Sequence, residues 1–161
     1  MANDKDLRSK NIIGGIGETY SQSIFLANGF SVYVPIVDNE GIDFIAVKKE
    51  IFYKVQVKTV QPYSYCYIRN SANNGFTITD DNFLVCYIRL IDISMEKKPE
   101  MHIFKASDWG CIEKKGLKSV LADYSSQKKN TEYGIFYNKV KGDDILKRYS
   151  ADKFFEDLVK I

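Results

Sequence analysis

A single histidine, three cysteines, three prolines and one tryptophan leave several familiar chemistries without the residues they need. With His102 as the sole imidazole, a His-Asn-His nuclease, a histidine-rich metal site or a paired-histidine acid–base scheme cannot be assembled. A Ser-His-Asp triad remains formally available, but no nucleophile-elbow sequence accompanies it. His102 lies in Met101-His102-Ile103-Phe104 and reads as a strand residue. Cys66, Cys86 and Cys111 are odd in number and far apart, which fits reduced thiols better than a disulfide framework or a zinc site. No apolar run approaches a membrane span, and Met1 to Leu7 lacks the apolar segment of a signal peptide. The expectation is a cytoplasmic protein with no membrane partner. An excess of charge of one sign is also lacking: the net charge is only +2, so composition alone does not mark a nucleic-acid binder.

What is present is a chain of 161 residues with 45% hydrophobic content, enough for one compact α/β domain spanning 1–161. Gly14-Gly15-Ile16-Gly17-Glu18 predicts the opening of a helix after a mildly basic arm. Ile16, Tyr20, Ile24 and Ala27 form its apolar stripe, and Asn28-Gly29 its C-terminal stop. Glu18 then sits in the first turn, where the helix dipole favours an acid. The glycines have neither dinucleotide-binding nor phosphate-loop spacing. Phe30 to Pro35 reads as a first strand.

The most informative stretch runs from Gly41 to Lys58. Gly41-Ile42-Asp43-Phe44-Ile45-Ala46-Val47 and Phe52-Tyr53-Lys54-Val55-Gln56-Val57-Lys58 flank a short charged turn, and so predict neighbouring antiparallel strands. Residues two apart share a strand face, so Lys54, Gln56 and Lys58 lie together. Asp43 is an acid at the start of an otherwise apolar strand. Pairing brings Asp43, Gln56 and Lys58 to one end of the sheet: a carboxylate, an amide oxygen and an ammonium, suited to a hard divalent cation and a phosphate.

After the third strand, Tyr63, Tyr65, Tyr67 and Arg69 alternate with Ser64, Cys66 and Ile68. Asn73-Asn74-Gly75 leads to Phe76-Thr77-Ile78-Thr79, giving a predicted hairpin insertion over about 62–80. Its tyrosine–arginine face suits either a nucleic-acid groove or a protein interface. Phe83 to Ile91 reads as a central strand buried on both sides, and Met101 to Phe104 as its neighbour. Trp109 anchors a short helix to the core. From Glu113 to Arg148 there are nine cations against five acids, Lys114 and Lys115 among them. Gathered on one side they would track phosphates; scattered on loops they would be solvated. A possible late strand covers Tyr133 to Tyr137. A last helix starts after Ser150 and buries Phe154, Phe155 and Leu158.

In order, Gly17-Glu18, Gly29-Phe30, Gly41-Ile42-Asp43 and Gln56-Val57-Lys58 fall on a helix and three strands. The pattern resembles the PD-(D/E)xK nuclease superfamily, in a Gln-x-Lys variant similar to group I intron-encoded homing endonucleases and Holliday-junction-resolvase-like nucleases. The resemblance implies a restriction-endonuclease-like α/β (α+β) fold. Its central mixed sheet is flanked by helices, the core covers about 14–60 and 83–105, and the basic C-terminal region 113–161. It implies a Mg2+-dependent endonuclease acting on double-stranded DNA, with Mn2+ able to substitute, of homing or restriction type and working as a homo-dimer or homo-tetramer. A junction-resolving nuclease and a decayed DNA-binding module are the alternatives. Asp43, the Gln56 side-chain oxygen, the Val57 carbonyl and Glu18 would hold the metal, with Lys58 at the scissile phosphate. Tyr63, Tyr65, Tyr67, Arg69, Lys114 and Lys115 would contact DNA. Glutamine at 56 departs from the commoner acid and removes one negative charge from the site.

Overall fold

The computed structural model describes residues 10–37, 41–62, 64–69, 80–111, 121–123, 132–136 and 146–159. A long helix α1 (Lys10–Ala27) leads into strands β1 (Ser31–Tyr33), β2 (Phe44–Lys48) and β3 (Ile51–Val60). Then follow β4 (Tyr65–Arg69), β5 (Phe83–Arg89), β6 (Glu100–Lys105) and the short helix α2 (Ala106–Cys111). Strands β7 (Leu121–Asp123) and β8 (Glu132–Phe136) precede the C-terminal helix α3 (Ala151–Val159). Among the described residues no helix is long and apolar enough to cross a membrane.

The main sheet has the order β1-β2-β3-β5-β6. It is mixed: β1, β2 and β3 form the expected antiparallel meander, β3 and β5 run parallel, and β6 returns antiparallel to β5. Residues 83 to 88 of β5 are all buried, as a continuous apolar run in a central strand requires. On one face α1 and α3 cover Phe44, Val55, Val57, Leu84 and Cys86. On the other, β4, α2 and Leu146 cover Phe83, Val85, Tyr87 and Phe104. Trp109 is fully buried there, edge-on to Phe104 at 5.3 Å.

Two expectations need correction. The glycines do not open α1, which is already helical at Lys10, so residues 10–13 are not an arm and no acid lies in its first described turn. The buried line is Gly17, Ser21 and Phe25. The expected stripe of Ile16, Tyr20 and Ile24 only flanks it, and Ala27 is exposed. The shift follows from size, because Gly17 is the residue that lets α1 approach β3 closely. Among the described residues β4 pairs with β8, from far along the chain, in a second sheet of order β4-β8-β7. Phe76 to Thr79, the expected hairpin partner, lies outside the described residues. Of the long basic stretch, the described residues include the two strands β7 and β8.

Local stops behave as the residues dictate. Gly29 takes φ +78°, and Phe30 N–H donates to the Phe25 carbonyl at 3.1 Å, closing α1 with a left-handed cap. The Phe25 and Phe30 rings meet edge-on across that cap at 5.1 Å. Ser150 caps α3, its hydroxyl accepting from Lys153 N–H at 3.4 Å.

Candidate active site

The site grows from the place where β2 and β3 part. Their ladder runs from Lys48↔Ile51 to Phe44↔Val55 and stops, while β3 continues to Val60. Lys54 N–H donates to Asn82 on the β5 side, so in a pleated strand the main-chain groups of Val55 and Val57 point the other way, towards β2. Beyond Val55 that side has lost its strand partner. Asp43, one residue before β2, fills the place: its N–H donates to the Val55 carbonyl at 2.9 Å, and its Oδ2 accepts from Val57 N–H at 2.5 Å. The carboxylate thus stands where the next β2 carbonyl would be, in a charge-assisted bond that fixes its direction. The Val57 carbonyl faces the same gap.

Gln56 and Lys58 project from the opposite face of β3 to Tyr53, Val55 and Val57, and both are half-buried. Gln56 Oε1 is buried with no hydrogen-bond partner among the described residues. Leaving such an atom unpaired costs about 1–3 kcal/mol, a cost that folding alone gives no reason to bear. Its amide is held close by Gly41, which has φ +68°: a Cβ there would lie 2.9 Å from Gln56 Nε2. Gly41 is therefore glycine for two reasons, its backbone conformation and the room it leaves the Gln56 amide.

Glu18 is half-buried on α1, beside Gly17. A Cβ on Gly17 would fall 1.9 Å from Thr59 Oγ1, so α1 rests directly on the residue after Lys58. The Glu18 side chain lies back along its own helix, Oε1 being 3.7 Å from where a Gly14 Cβ would be. Below the site Cys86 pairs in register with Val57, and burial first, then the Asp43 charge, push its thiol pKa far up. That thiol stays neutral.

Tyr65 and Tyr67 are half-buried on β4, their rings stacked 5.9 Å apart at 25°. Cys66 and Ile68, which alternate with them, enter the core. Arg69 ends β4, whereas Tyr63, Lys114 and Lys115 lie outside the described residues. Sequence reasoning passed over the Gly17–Thr59 contact and the ion pair of Lys54 with Asp80. Of the second, only Lys54's place on the face of Gln56 and Lys58 had a signal in the sequence.

Among the described residues no group of three or more His, Cys, Asp or Glu side chains is arranged to hold a metal. The candidate donors are different: the Asp43 carboxylate, the Gln56 Oε1 that has no partner among the described residues, and the Val57 main-chain carbonyl. All are hard oxygens, and they fit a divalent cation such as Mg2+ that keeps several of its own waters.

The family model for PD-(D/E)XK endonuclease matches residues 9–103. Among solved structures, the chain is similar to the bacterial homing endonuclease I-Ssp6803I, with a TM-score of 0.58, 16% identity and 95% of each chain covered. It is also similar to Hjc, a Holliday junction resolvase from Archaeoglobus fulgidus, with a TM-score of 0.47, 9% identity, and 80% of this chain and 87% of that one covered. No curated protein matches the chain.

Proposed function

The chain belongs to the PD-(D/E)XK endonuclease family, and we propose that it is a Mg2+-dependent endonuclease that hydrolyses phosphodiester bonds of double-stranded DNA. The observation that carries this reading is the buried Gln56 Oε1, without a partner among the described residues, on the strand whose Val57 amide holds Asp43, with Lys58 next on the same face. Asp43, Gln56 Oε1 and the Val57 carbonyl would hold the cation, and Glu18 would support it from α1. Once bound, the cation supplies positive charge that polarises the phosphodiester and lowers the cost of forming hydroxide beside it.

The chain's own residues do the rest. The Val57 amide fixes the Asp43 carboxylate, so its charge need not reorganise as the reaction proceeds. Lys58 neutralises charge that builds on the phosphate oxygens during in-line displacement. Gly41 leaves the room that the Gln56 amide occupies. Tyr65, Tyr67 and Arg69, on the strand that follows β3, would contact the flanking DNA. This supports a site-specific homing or restriction type that reads DNA through its own second sheet. Cutting both strands needs two such sites, hence a homo-dimer or homo-tetramer.

The test is cleavage of supercoiled and linear duplex with and without Mg2+. Activity should vanish with a chelator, return with Mg2+ or Mn2+, and fall about a hundredfold or more in Asp43→Asn and in Lys58→Met. Full activity in either variant, or in the chelator, contradicts the proposal.

A further inference from the structure

The site face of β3 carries one cation that the mechanism leaves unused. Lys54 lies two residues before Gln56, as Lys58 lies two after it, so each ammonium-bearing residue is about 7 Å along the strand from Gln56. The Lys54 side chain is 44% exposed and its tip is held: Nζ lies 3.3 Å from Asp80 Oδ2. Asp80 is itself fixed by the turn that begins β5. Its Oδ1 accepts from Asn82 N–H at 3.0 Å and its carbonyl accepts from Phe83 N–H at 3.0 Å. The same turn is tied to β3 through Lys54 N–H, which donates to the Asn82 carbonyl at 2.9 Å.

The turn therefore keeps its place on β3 by main-chain bonds, and a part-exposed ion pair adds at most about 1 kcal/mol to that. What the pair does accomplish is to hold a long, otherwise mobile ammonium in one place on the site face. Around it the face is open. Tyr33, Ile45 and Lys54 form one cross-strand row, and Tyr33 and the neighbouring Phe52 are 60% and 63% exposed. Successive phosphates of one DNA strand advance about 3.4 Å along the duplex axis, so the step from Gln56 to Lys54 spans roughly two of them.

We infer that Lys54 contacts a backbone phosphate one or two nucleotides from the scissile one, and that the Asp80 carboxylate stands in for that phosphate until DNA arrives. This rests on the endonuclease reading above. On binding, the ammonium exchanges a carboxylate for a phosphate, and Asp80 sets the cost of the exchange. Lys54 is a substrate-binding residue in this account and Asp80 a positioning one.

The experiment is fluorescence anisotropy with a short labelled duplex of mixed sequence, in a chelator so that nothing is cut, over a range of salt concentrations. Lys54→Met should weaken binding about fivefold and lower the slope of log affinity against log salt by about one, while Lys54→Arg keeps the slope. Asp80→Asn should tighten binding about twofold, by removing the competing anion. In cleavage assays Lys54→Met should raise KM more than it lowers kcat. An unchanged slope in Lys54→Met, with a lowered unfolding midpoint, makes the pair a structural staple and overturns the inference. Binding in Asp80→Asn that is unchanged or weaker overturns it equally. If the wild-type protein cuts duplex DNA and only these variants behave otherwise, this inference alone fails. If the wild type neither binds nor cuts duplex, the endonuclease reading falls as well.

Discussion

Tyr53, Val55 and Val57 on one face of β3 are at most 8% exposed and lie in the core beneath α1 and α3, whereas Lys54, Gln56 and Lys58 on the other face stay half-buried around a polar gap. The two sets share one backbone and differ only in parity. On the first face Tyr53, Val55 and Val57 all pack among apolar neighbours. On the second, Gln56 keeps a buried oxygen with no partner among the described residues, a condition that stability alone would not select. Pleat geometry thus lets the core fix where the chemistry stands, because burying Val55 and Val57 leaves Gln56 and Lys58 no other direction to face.

If the two faces are separable, mutations on each should move different observables. The largest effect belongs to the packed face. Phe25 meets Phe30, Phe44 and Phe155 edge-on at 5.1, 5.4 and 5.2 Å, so Phe25→Ala should cost about 3–5 kcal/mol in denaturant unfolding. Cleavage by the molecules that remain folded should change far less. A loss of cleavage as deep as that of Lys58→Met, at full folding, would break the comparison.

Gly17 sits where the packed face meets the site. An added methyl would clash with Thr59 at 1.9 Å, and Gly17→Ala should destabilise by about 1–3 kcal/mol while also shifting Glu18 and lowering cleavage. Thr59→Ala in the same chain removes the hydroxyl but leaves Thr59's Cβ position, 3.0 Å from the new methyl, so it should recover only part of both losses. Recovery of neither would show that the helix is not held by this contact.

The smallest effect is seen in alkaline solution. The raised pKa of Cys86 means that its thiol stays neutral in the folded protein while an unfolded thiol ionises near pH 8.5. Its contribution to stability is therefore complete below about pH 8.5 and is lost at about 1.4 kcal/mol per pH unit above it. Replacing Cys86 with alanine should flatten that part of the stability–pH curve. An unchanged slope would mean that the thiol ionises normally where it lies.

How far the sequence speaks differs between these regions. Asp43, Gln56 and Lys58 were legible because a period of two is a local signal, and a lone acid at the head of an apolar strand stands out against its neighbours. The β1–β3 meander, the buried β5 and the cap at Gly29 were legible for the same reason. The start of α1 was not, because Gly14, Gly15 and Gly17 read locally as the opening of a helix, while the demand for close packing on Thr59 arises only once β3 is in place. Nor was the pairing of β4 with β8, since partners so distant leave no local trace. Lys54 announced its face through alternation, but nothing near it pointed to Asp80 across the loop.

The central claim is that position 56 serves a ligand rather than the fold, and Gln56→Leu tests it most directly. One preparation should be measured for both duplex cleavage in Mg2+ and denaturant unfolding. The account predicts cleavage lower by about a hundredfold or more. It also predicts stability unchanged or raised by about 1 kcal/mol, because an unpartnered buried oxygen gives way to an apolar side chain of similar size. Cleavage close to wild type, in a protein that has become several kcal/mol less stable, would contradict it.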